Sequence, residues 1–393
     1  MNHSARARLL AFYLPQFHPV PENDEWWGKG FTEWTNVAKA KPLFKGHYQP
    51  RLPADLGFYD LRVPEVREAQ AALARKAGIE AFCYYHYWFA GKRLLERPFN
   101  EVVTSGKPDF PFCLCWANQS WSGIWHGSPG KILIEQTYPG PEDHRKHFMA
   151  LREAFLDKRY FRVDGRPVFV IFRPNEFPDV KAFIQQWQQL AIEHGLPGIH
   201  FIAHLFHYET NWDYKAHGFD NCVVVSTLKS LSLSMRDLIF GVKKNGSQNG
   251  AKDHPVPIDG NASKGALRHA LWRRYRSWFG KFSQVVHYKH AHPFLLEGCK
   301  EVPGAYPCVT PNWDNTARSN VRGVVLHEST PELFRAHLRQ AINLVENRPP
   351  SQRLTFIKSW NEWAEGNYLE PDQRYGHEYL KVVQEEVFAR QQG

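Results

Sequence analysis

The chain has 393 residues, a formal net charge of +9 and 15% aromatic residues, including 14 tryptophans. This length allows a large core, arranged either as two or three average domains or as one α/β barrel. The first apolar run, residues 9–14, is too short for a signal peptide or a membrane helix, so neither is expected there.

The composition also indicates a compartment and a class of ligand. Many Trp and Tyr residues adjoin Asn, Gln, His or Glu, which favours a carbohydrate-binding cleft. Most of the six cysteines fall in predicted strands, and Cys113 and Cys115 do not form a CxxC pair. We expect a reducing cytoplasm, no disulfides, no metal site and no cofactor.

Eight strand-like segments are predicted in chain order: residues 9–14, 79–85, 112–116, 168–172, 200–204, 222–226, 306–310 and 354–358. Helical periodicity between most of them is clearest at 64–78, 142–157, 180–195 and 331–347. Strands alternating with helices favour a single (β/α)8 TIM-type barrel over 1–393, rather than a doubly wound sheet.

The active site of such a barrel lies at the carboxyl ends of its strands. Polar and aromatic residues collect at these predicted ends: Tyr13, Gln16, Tyr85, His86, Trp116, Asn118, Gln119, Trp121, His204, Trp313, Asn315, Asn361 and Trp363. Each of them could be structural, and a residue such as His204 is more often a core histidine. Their shared position predicts a sugar-binding cleft.

The loop after the first strand, residues 17–59, is long for a βα connection and rich in aromatic residues. Loops of this length are usually functional. Glu33 and Trp34, with Trp26, Trp27 and His47, are candidates for a wall or lid of the cleft. The alternative is that they cap the barrel.

Residues 227–282 form a predicted insertion between the sixth and seventh strands, with 11 basic and 3 acidic residues. Residues 264–282 place an aromatic stripe beside arginines, a pattern that suits peripheral contact with the inner face of the membrane. The alternative is a helix packed on the barrel with a solvated basic face. Nucleic-acid binding is not expected, because no recognised motif accompanies the charge.

The stretch LTFIKSWNEWAEG at 354–366 joins a predicted strand to Glu362 and Glu365, with tryptophans on both sides. Indole faces stack on sugar rings, and apolar surroundings favour a neutral carboxyl group that can donate a proton. The pair therefore predicts acid–base chemistry on a sugar. The alternative is that both glutamates are solvated residues at the start of a helix.

This stretch resembles the WbsX-type proteins, relatives of glycoside hydrolase family 99. The resemblance covers nearly the whole chain, through AFYLPQFH at 11–18, GFTEWTNV at 30–37, GHYQP at 46–50, DLGFYD at 55–60, YYHYWF at 84–89, CWAN at 115–118 and WDNTAR at 313–318. It implies a role in bacterial surface-polysaccharide synthesis, where the substrate is a polysaccharide or oligosaccharide, free or lipid-linked.

The resemblance also implies a mechanism and raises one question. In family 99 the first glutamate of the motif deprotonates the 2-hydroxyl of a mannose-type sugar, and the second acts as acid and then base, with retention and without metal. These positions match Glu362 and Glu365. Where many relatives carry Glu, this chain has Gln119, which keeps hydrogen bonding but cannot ionise.

Three functions remain open at this point: a retaining glycosidase or transglycosylase, a glycosyltransferase of O-antigen, lipopolysaccharide or capsule synthesis, and a non-catalytic glycan-binding protein. The glutamate pair and the barrel favour the first. The family association favours the second, although an Asp-x-Asp motif is missing from the sequence. Gln119 is the only feature that favours the third.

Overall fold

The computed structural model describes residues 5–123, 132–226 and 284–389. Eight parallel strands close into one barrel, because the first strand pairs with both the second and the last. This confirms the predicted (β/α)8 fold. The strands are β1 (Arg8–Tyr13), β2 (Ile79–Phe89), β3 (Phe112–Trp116), β4 (Arg166–Ile171), β5 (His200–Phe206), β6 (Asn221–Val225), β7 (Tyr306–Val309) and β8 (Leu354–Ile357).

The barrel strands are almost continuously buried, as parallel strands covered on both faces should be. All five residues of β3 are buried, and so are all four of β8. The predicted strand ends lie within two residues of the observed ones except in β2. That strand runs on to Phe89 because its end folds back in a hairpin with Lys92–Leu94.

Eleven α-helices lie within the described ranges. They are α1 (Pro21–Trp27), α2 (Glu33–Lys39), α3 (Pro64–Ala77), α4 (Arg97–Ser105), α5 (Pro141–Leu156), α6 (Val180–Glu193), α7 (Tyr288–Ala291), α8 (Glu297–Glu301), α9 (Thr316–Ser319), α10 (Pro331–Asn343) and α11 (Glu378–Val387). Helix α3 begins with Pro64 and ends before Gly78, whose φ of 84° is left-handed, as the sequence predicted.

The alternation of strand and helix is incomplete at one connection. Residues 207–220, all of them described, join β5 to β6 through the 3₁₀ turn His207–Glu209 and contain no α-helix. This gap agrees with the prediction of helical periodicity between most, rather than all, of the strands. Residues 207–220 thus lead from the carboxyl end of β5 back to the amino end of the parallel strand β6 without a helix.

The long first loop carries α1 and α2 over the carboxyl end of the barrel. The predicted basic insertion at 227–282, including residues 264–282, lies outside the described residues. Among the helices that are described, none combines the length and apolar character needed to cross a membrane. All six cysteines are buried with free thiols.

Candidate active site

The stretch after β8 forms a small hairpin at the mouth of the barrel. Residues Asn361–Glu362 pair with Asn367–Tyr368, and the 3₁₀ turn Trp363–Glu365 connects them. Main-chain and side-chain bonds fix this hairpin to β1: the Trp360 amide donates to the Phe12 carbonyl at 2.7 Å, and Asn361 Oδ1 accepts from the Leu14 amide at 2.7 Å. The two candidate catalytic carboxylates therefore stand on a doubly anchored turn.

Gly366 closes the turn in a conformation that requires glycine. Its φ is 53°, and a Cβ there would come within 2.8 Å of Asp314 Cβ and 2.9 Å of the Asp314 amide nitrogen. Asp314 is itself held by His47, whose Nε2 lies 2.8 Å from Asp314 Oδ2. The hairpin can approach Asp314 this closely only without a side chain at position 366.

Arg318 links the hairpin to the first loop. Its guanidinium donates to Glu365 Oε1 at 2.7 Å and to both carboxylate oxygens of Glu33 at 2.7 and 2.8 Å. Glu33, which begins α2 and is fully buried, also accepts from the Ala364 amide at 2.9 Å. Arg318, itself held by Glu33, thus fixes one carboxylate oxygen of Glu365, and Glu365 lines the cleft.

Glu362 is paired with a different cation, Lys358. Lys358 Nζ lies 3.6 Å from Glu362 Oε2 and donates to the Tyr85 hydroxyl at 3.2 Å. The Glu362 amide donates to Ser359 Oγ at 3.0 Å. Both side chains of the pair are almost buried, with 11% of Lys358 and 7% of Glu362 exposed.

Burial raises the pKa of Glu362 above the ordinary value of a glutamate. The positive charge of Lys358 opposes this shift, Glu365 adds to it, Arg318 opposes it, and Glu33 adds to it. Burial alone would lower the pKa of Lys358, but the nearby carboxylates outweigh burial and the pKa of Lys358 is raised. Glu362 therefore combines a heightened proton affinity with a close counter-charge.

These groups line a cleft of about 280 Å³ at the carboxyl end of the barrel. Seven of the predicted site residues line it: Gln16, Glu33, Tyr85, Gln119, Trp121, Glu362 and Glu365. Aromatic walls come from Trp27, Phe31, Tyr87 and Phe172, and polar groups from Asn36, Ser120 and Ser122. Stacking faces beside hydroxyl and amide groups are suited to a sugar ring.

Three predicted substrate contacts lie on the outer side of the barrel wall instead. The Tyr13 hydroxyl donates to Gln70 of α3 at 2.7 Å. His86 Nε2 lies 2.8 Å from His147 of α5, and Trp116 packs edge-on against the same histidine. This corrects the prediction that Tyr13, His86 and Trp116 contact substrate, because successive residues of a strand face opposite sides.

The other seven predicted contacts are buried or half-buried beside the cleft, outside its lining. Four of them support backbone: Asn118 bonds Arg173, Asn315 accepts from Val324, Asn361 bridges both backbone groups of Leu14, and Trp34 donates to Tyr59. Trp363 donates to Glu370, His204 packs on Phe172 beneath the cleft, and Trp313 lies near Lys358. These seven do not line the cleft in this structure, and their direct contact with substrate stays a prediction.

Arg318 and Lys358 were missed by sequence reasoning as site residues. A signal existed for both, since Lys358 lies four residues before Glu362 and Arg318 ends the stretch WDNTAR. What the sequence does not reveal is that Arg318 meets Glu33, a residue 285 positions away.

Beneath the hairpin lies a second buried carboxylate, Glu370. It accepts hydrogen bonds from Trp363 at 2.6 Å, from Gln70 at 2.6 Å and from Tyr59 at 2.9 Å. Burial is the largest influence on Glu370 and raises its pKa to about 7, although its hydrogen bonds act in the opposite direction. Glu370 holds the hairpin from its core side.

The structure describes three ranges of the chain, residues 5–123, 132–226 and 284–389. In these three ranges no cluster of three or more His, Cys, Asp or Glu side chains is placed to hold a metal ion.

Comparison with solved structures relates the fold to known ones. A glycoside hydrolase-like protein aligns over 98% of this chain and 95% of its own, with a TM-score of 0.55 and 14% identity. The GH99 endo-alpha-mannosidase from Bacteroides thetaiotaomicron aligns over 97% and 96%, with a TM-score of 0.50 and 14% identity. At this identity the likeness concerns the fold alone.

Comparison of sequences identifies the family. The uncharacterized protein WxcX of Xanthomonas campestris pv. campestris is 37% identical over 383 residues, which are 96% of this chain and 49% of that protein. The chain thus spans about half the length of the curated relatives it matches. The family model described as "Glycosyltransferase WbsX" matches residues 9–383, and the chain therefore belongs to the WbsX family.

Proposed function

We propose that this protein is an enzyme acting on glycosidic bonds of a bacterial surface polysaccharide, with mannose-type sugars as substrate. The observation that carries the proposal is the pair Glu362 and Glu365 in an aromatic-walled cleft at the carboxyl end of the barrel. Family membership supports a carbohydrate substrate. The bacterial relative WxcX supports a role in bacterial cells.

In the proposed reaction Glu362 accepts the proton of the sugar's own 2-hydroxyl. The freed oxygen attacks the anomeric carbon, the bond to the leaving oxygen breaks, and Glu365 donates its proton to that oxygen. Water or an acceptor hydroxyl then attacks the anomeric carbon of the epoxide-like intermediate, Glu365 takes up the proton of the attacking group, and Glu362 returns its proton to the 2-oxygen. Two inversions at the anomeric carbon give retention. A raised pKa makes Glu362 a stronger base than an ordinary carboxylate.

The test is to replace each glutamate with its amide. Glu362→Gln and Glu365→Gln should each reduce turnover by about 10²–10⁴-fold with an unchanged circular dichroism spectrum. The matched control is Glu332→Gln, since the Glu332 side chain is 80% exposed on α10. Near wild-type rates for both cleft variants on a confirmed substrate would eliminate this assignment.

The second candidate function is a glycosyltransferase of O-antigen, lipopolysaccharide or capsule synthesis. The description of the matching family favours it. Separate incubations with α-mannan-type oligosaccharides, and with nucleotide-sugars plus a lipid-linked acceptor, distinguish the two by their products. Binding without turnover in both incubations would instead support a non-catalytic glycan-binding protein.

We further propose a cytoplasmic protein that acts on a free or lipid-linked glycan and contacts the membrane peripherally through residues 264–282. The basic composition of that segment supports the proposal. Wild-type protein should float with anionic liposomes at low salt, and flotation should fall at high salt or when Arg273, Arg274 and Arg276 are changed to Ser. Equal flotation of the triple variant would contradict the proposal.

A further inference from the structure

Lys358 is the cleft-lining cation nearest to Glu362, and its position restricts what it can do. It follows β8 directly, and its ammonium group lies 3.6 Å from Glu362 Oε2. The Tyr85 hydroxyl accepts one of its three N–H groups at 3.2 Å. The rings of Trp313 and Tyr85 also lie 5.7 and 5.8 Å from Nζ, so aromatic faces surround the charge.

Arg318 cannot take the same role, because its guanidinium is already committed. One terminal nitrogen donates to Glu365, and the other donates to both oxygens of Glu33. Glu362 therefore depends on Lys358 for a direct counter-charge among the described residues. The remaining neighbours offer Glu362 only a long hydrogen bond from Asn367 Nδ2, at 3.4 Å.

Resting on the proposed function, we propose that Lys358 is a positioning residue. Its ammonium group, fixed by Tyr85, holds Glu362 as an ionised base at the buried end of the cleft. Without this counter-charge a buried carboxyl would keep its proton, and it could not accept the proton of a sugar hydroxyl. When Glu362 does accept that proton, the lysine remains charged and Glu365 becomes its nearest acidic neighbour.

The other charged and titratable groups facing Glu362 come from several elements. They are Glu365 on its own turn, Glu33 on α2, Arg318 on α9, Tyr85 and Tyr87 on β2, and Cys308 on β7. Burial raises the pKa of Tyr85, Tyr87 and Cys308 above their ordinary values. Tyr85, Tyr87 and Cys308 therefore stay protonated near neutral pH. Removing Lys358 changes the protonation of Glu362 without ionising these three groups.

The first experiment needs no substrate. Infrared difference spectra against Glu362→Gln identify the carboxyl signal of Glu362, which is then titrated in wild type, Lys358→Met and Lys358→Arg. Lys358→Met should protonate Glu362 at a pH at least about one unit higher, a tenfold change in the equilibrium. Lys358→Arg should remain close to wild type. An unchanged titration in a folded Lys358→Met variant overturns the proposal.

The second experiment measures kcat/KM against pH on a confirmed substrate. The acid limb should move to higher pH in Lys358→Met and return in Lys358→Arg, whereas a packing role would lower the rate at every pH. The matched control is Lys381→Met, which breaks an exposed lysine–glutamate pair with the same four-residue spacing. A shift confined to the basic limb would make Glu362 the acid and overturn the proposal.

The outcomes separate this inference from the proposed function. If Glu362→Gln is inactive and Lys358→Met keeps the wild-type acid limb, only the role of Lys358 fails. If Glu362→Gln keeps full activity, the proposed function itself fails. Should Lys358→Met not fold, Tyr85→Phe loosens the ammonium by removing its acceptor, and a smaller shift in the same direction is expected.

Discussion

The cleft side and the core side of the hairpin after β8 each contain a buried glutamate, and the two glutamates differ in what surrounds them. On the cleft side Glu362 lies beside Lys358, with Arg318 and Glu365 close by. On the core side Glu370 is surrounded by neutral donors from Trp363, Gln70 and Tyr59. Burial raises the pKa of both carboxyl groups.

The difference teaches how one short segment can be both rigid and reactive. Neutral donors satisfy the hydrogen-bonding oxygens of Glu370, and its pKa is about 7. Glu370 therefore supports the turn from the core side. Cations on the cleft side compensate the negative charges of the carboxylates there. Removing a cation should therefore affect the molecule most, and changing a neutral group least.

The largest effect is expected for Arg318→Met. This change leaves the buried carboxylate of Glu33 and the half-buried carboxylate of Glu365 without their shared cation, and breaking a buried pair typically costs about 3–5 kcal/mol. Urea unfolding should report the loss. Adding Glu33→Gln should recover part of it, because one uncompensated charge is removed.

Arg62→Met is the control for that loss, because Arg62 also forms a two-pronged bond, with Asp60, at an exposed site. Exposed pairs contribute about 0–1 kcal/mol. If Arg318→Met lowered the free energy of unfolding no more than Arg62→Met does, the stability of the cleft side would not depend on Arg318.

The next effect concerns the pH dependence of stability through Glu370. Its folded pKa is about 7 and its ordinary value is 4.5, so between these pH values the folded chain keeps a proton that the unfolded chain has released. Rising pH therefore favours unfolding, by about 1.4 kcal/mol per pH unit. The free energy of unfolding of wild type should fall from pH 5 to 7 relative to Glu370→Gln.

Glu386→Gln is the control for that slope. Glu386 is also buried, but Arg339 and Arg335 outweigh its burial and lower its pKa. The pH range in which Glu386 affects stability therefore lies below pH 4.5. Its unfolding free energy should run parallel to that of wild type from pH 5 to 7. Parallel curves for Glu370→Gln as well would refute the role given to Glu370.

A smaller effect is expected for Gln119→Glu. The cleft already holds three carboxylates, Glu33, Glu362 and Glu365, against the two cations Arg318 and Lys358. A fourth carboxylate would need desolvation and would disfavour ionised Glu362, so the rate should be unchanged or reduced by up to about tenfold. Gln119→Asn is the neutral control. A large gain in rate would show that a catalytic acid has been lost at this position.

The smallest effect is expected for metal removal. Within the described residues no cluster of three or more His, Cys, Asp or Glu side chains is placed to hold a metal ion. Turnover should be unchanged after dialysis against a chelator, with a matched dialysis lacking the chelator as control. Loss of activity that returns with a divalent metal would contradict this expectation.

The pattern of success and error across the predicted rim has one physical cause. The sequence places Tyr85 and His86 at the same strand end, yet a strand turns successive side chains to opposite faces. Tyr85 lines the cleft and His86 meets His147 among the helices. Trp116, the last residue of β3, likewise packs against His147 on the helix side of the wall.

The sequence by itself determined the positions of the strands, the two ends of helix α3 and the two glutamates of the hairpin. These follow from local chemistry: apolar β-rich runs, a proline and a glycine at helix ends, and carboxylates beside indoles. Only the tertiary structure decided which charges meet. Arg318 reaches Glu33 across 285 residues because barrel closure brings the first loop over the eighth strand, and no local pattern encodes that approach.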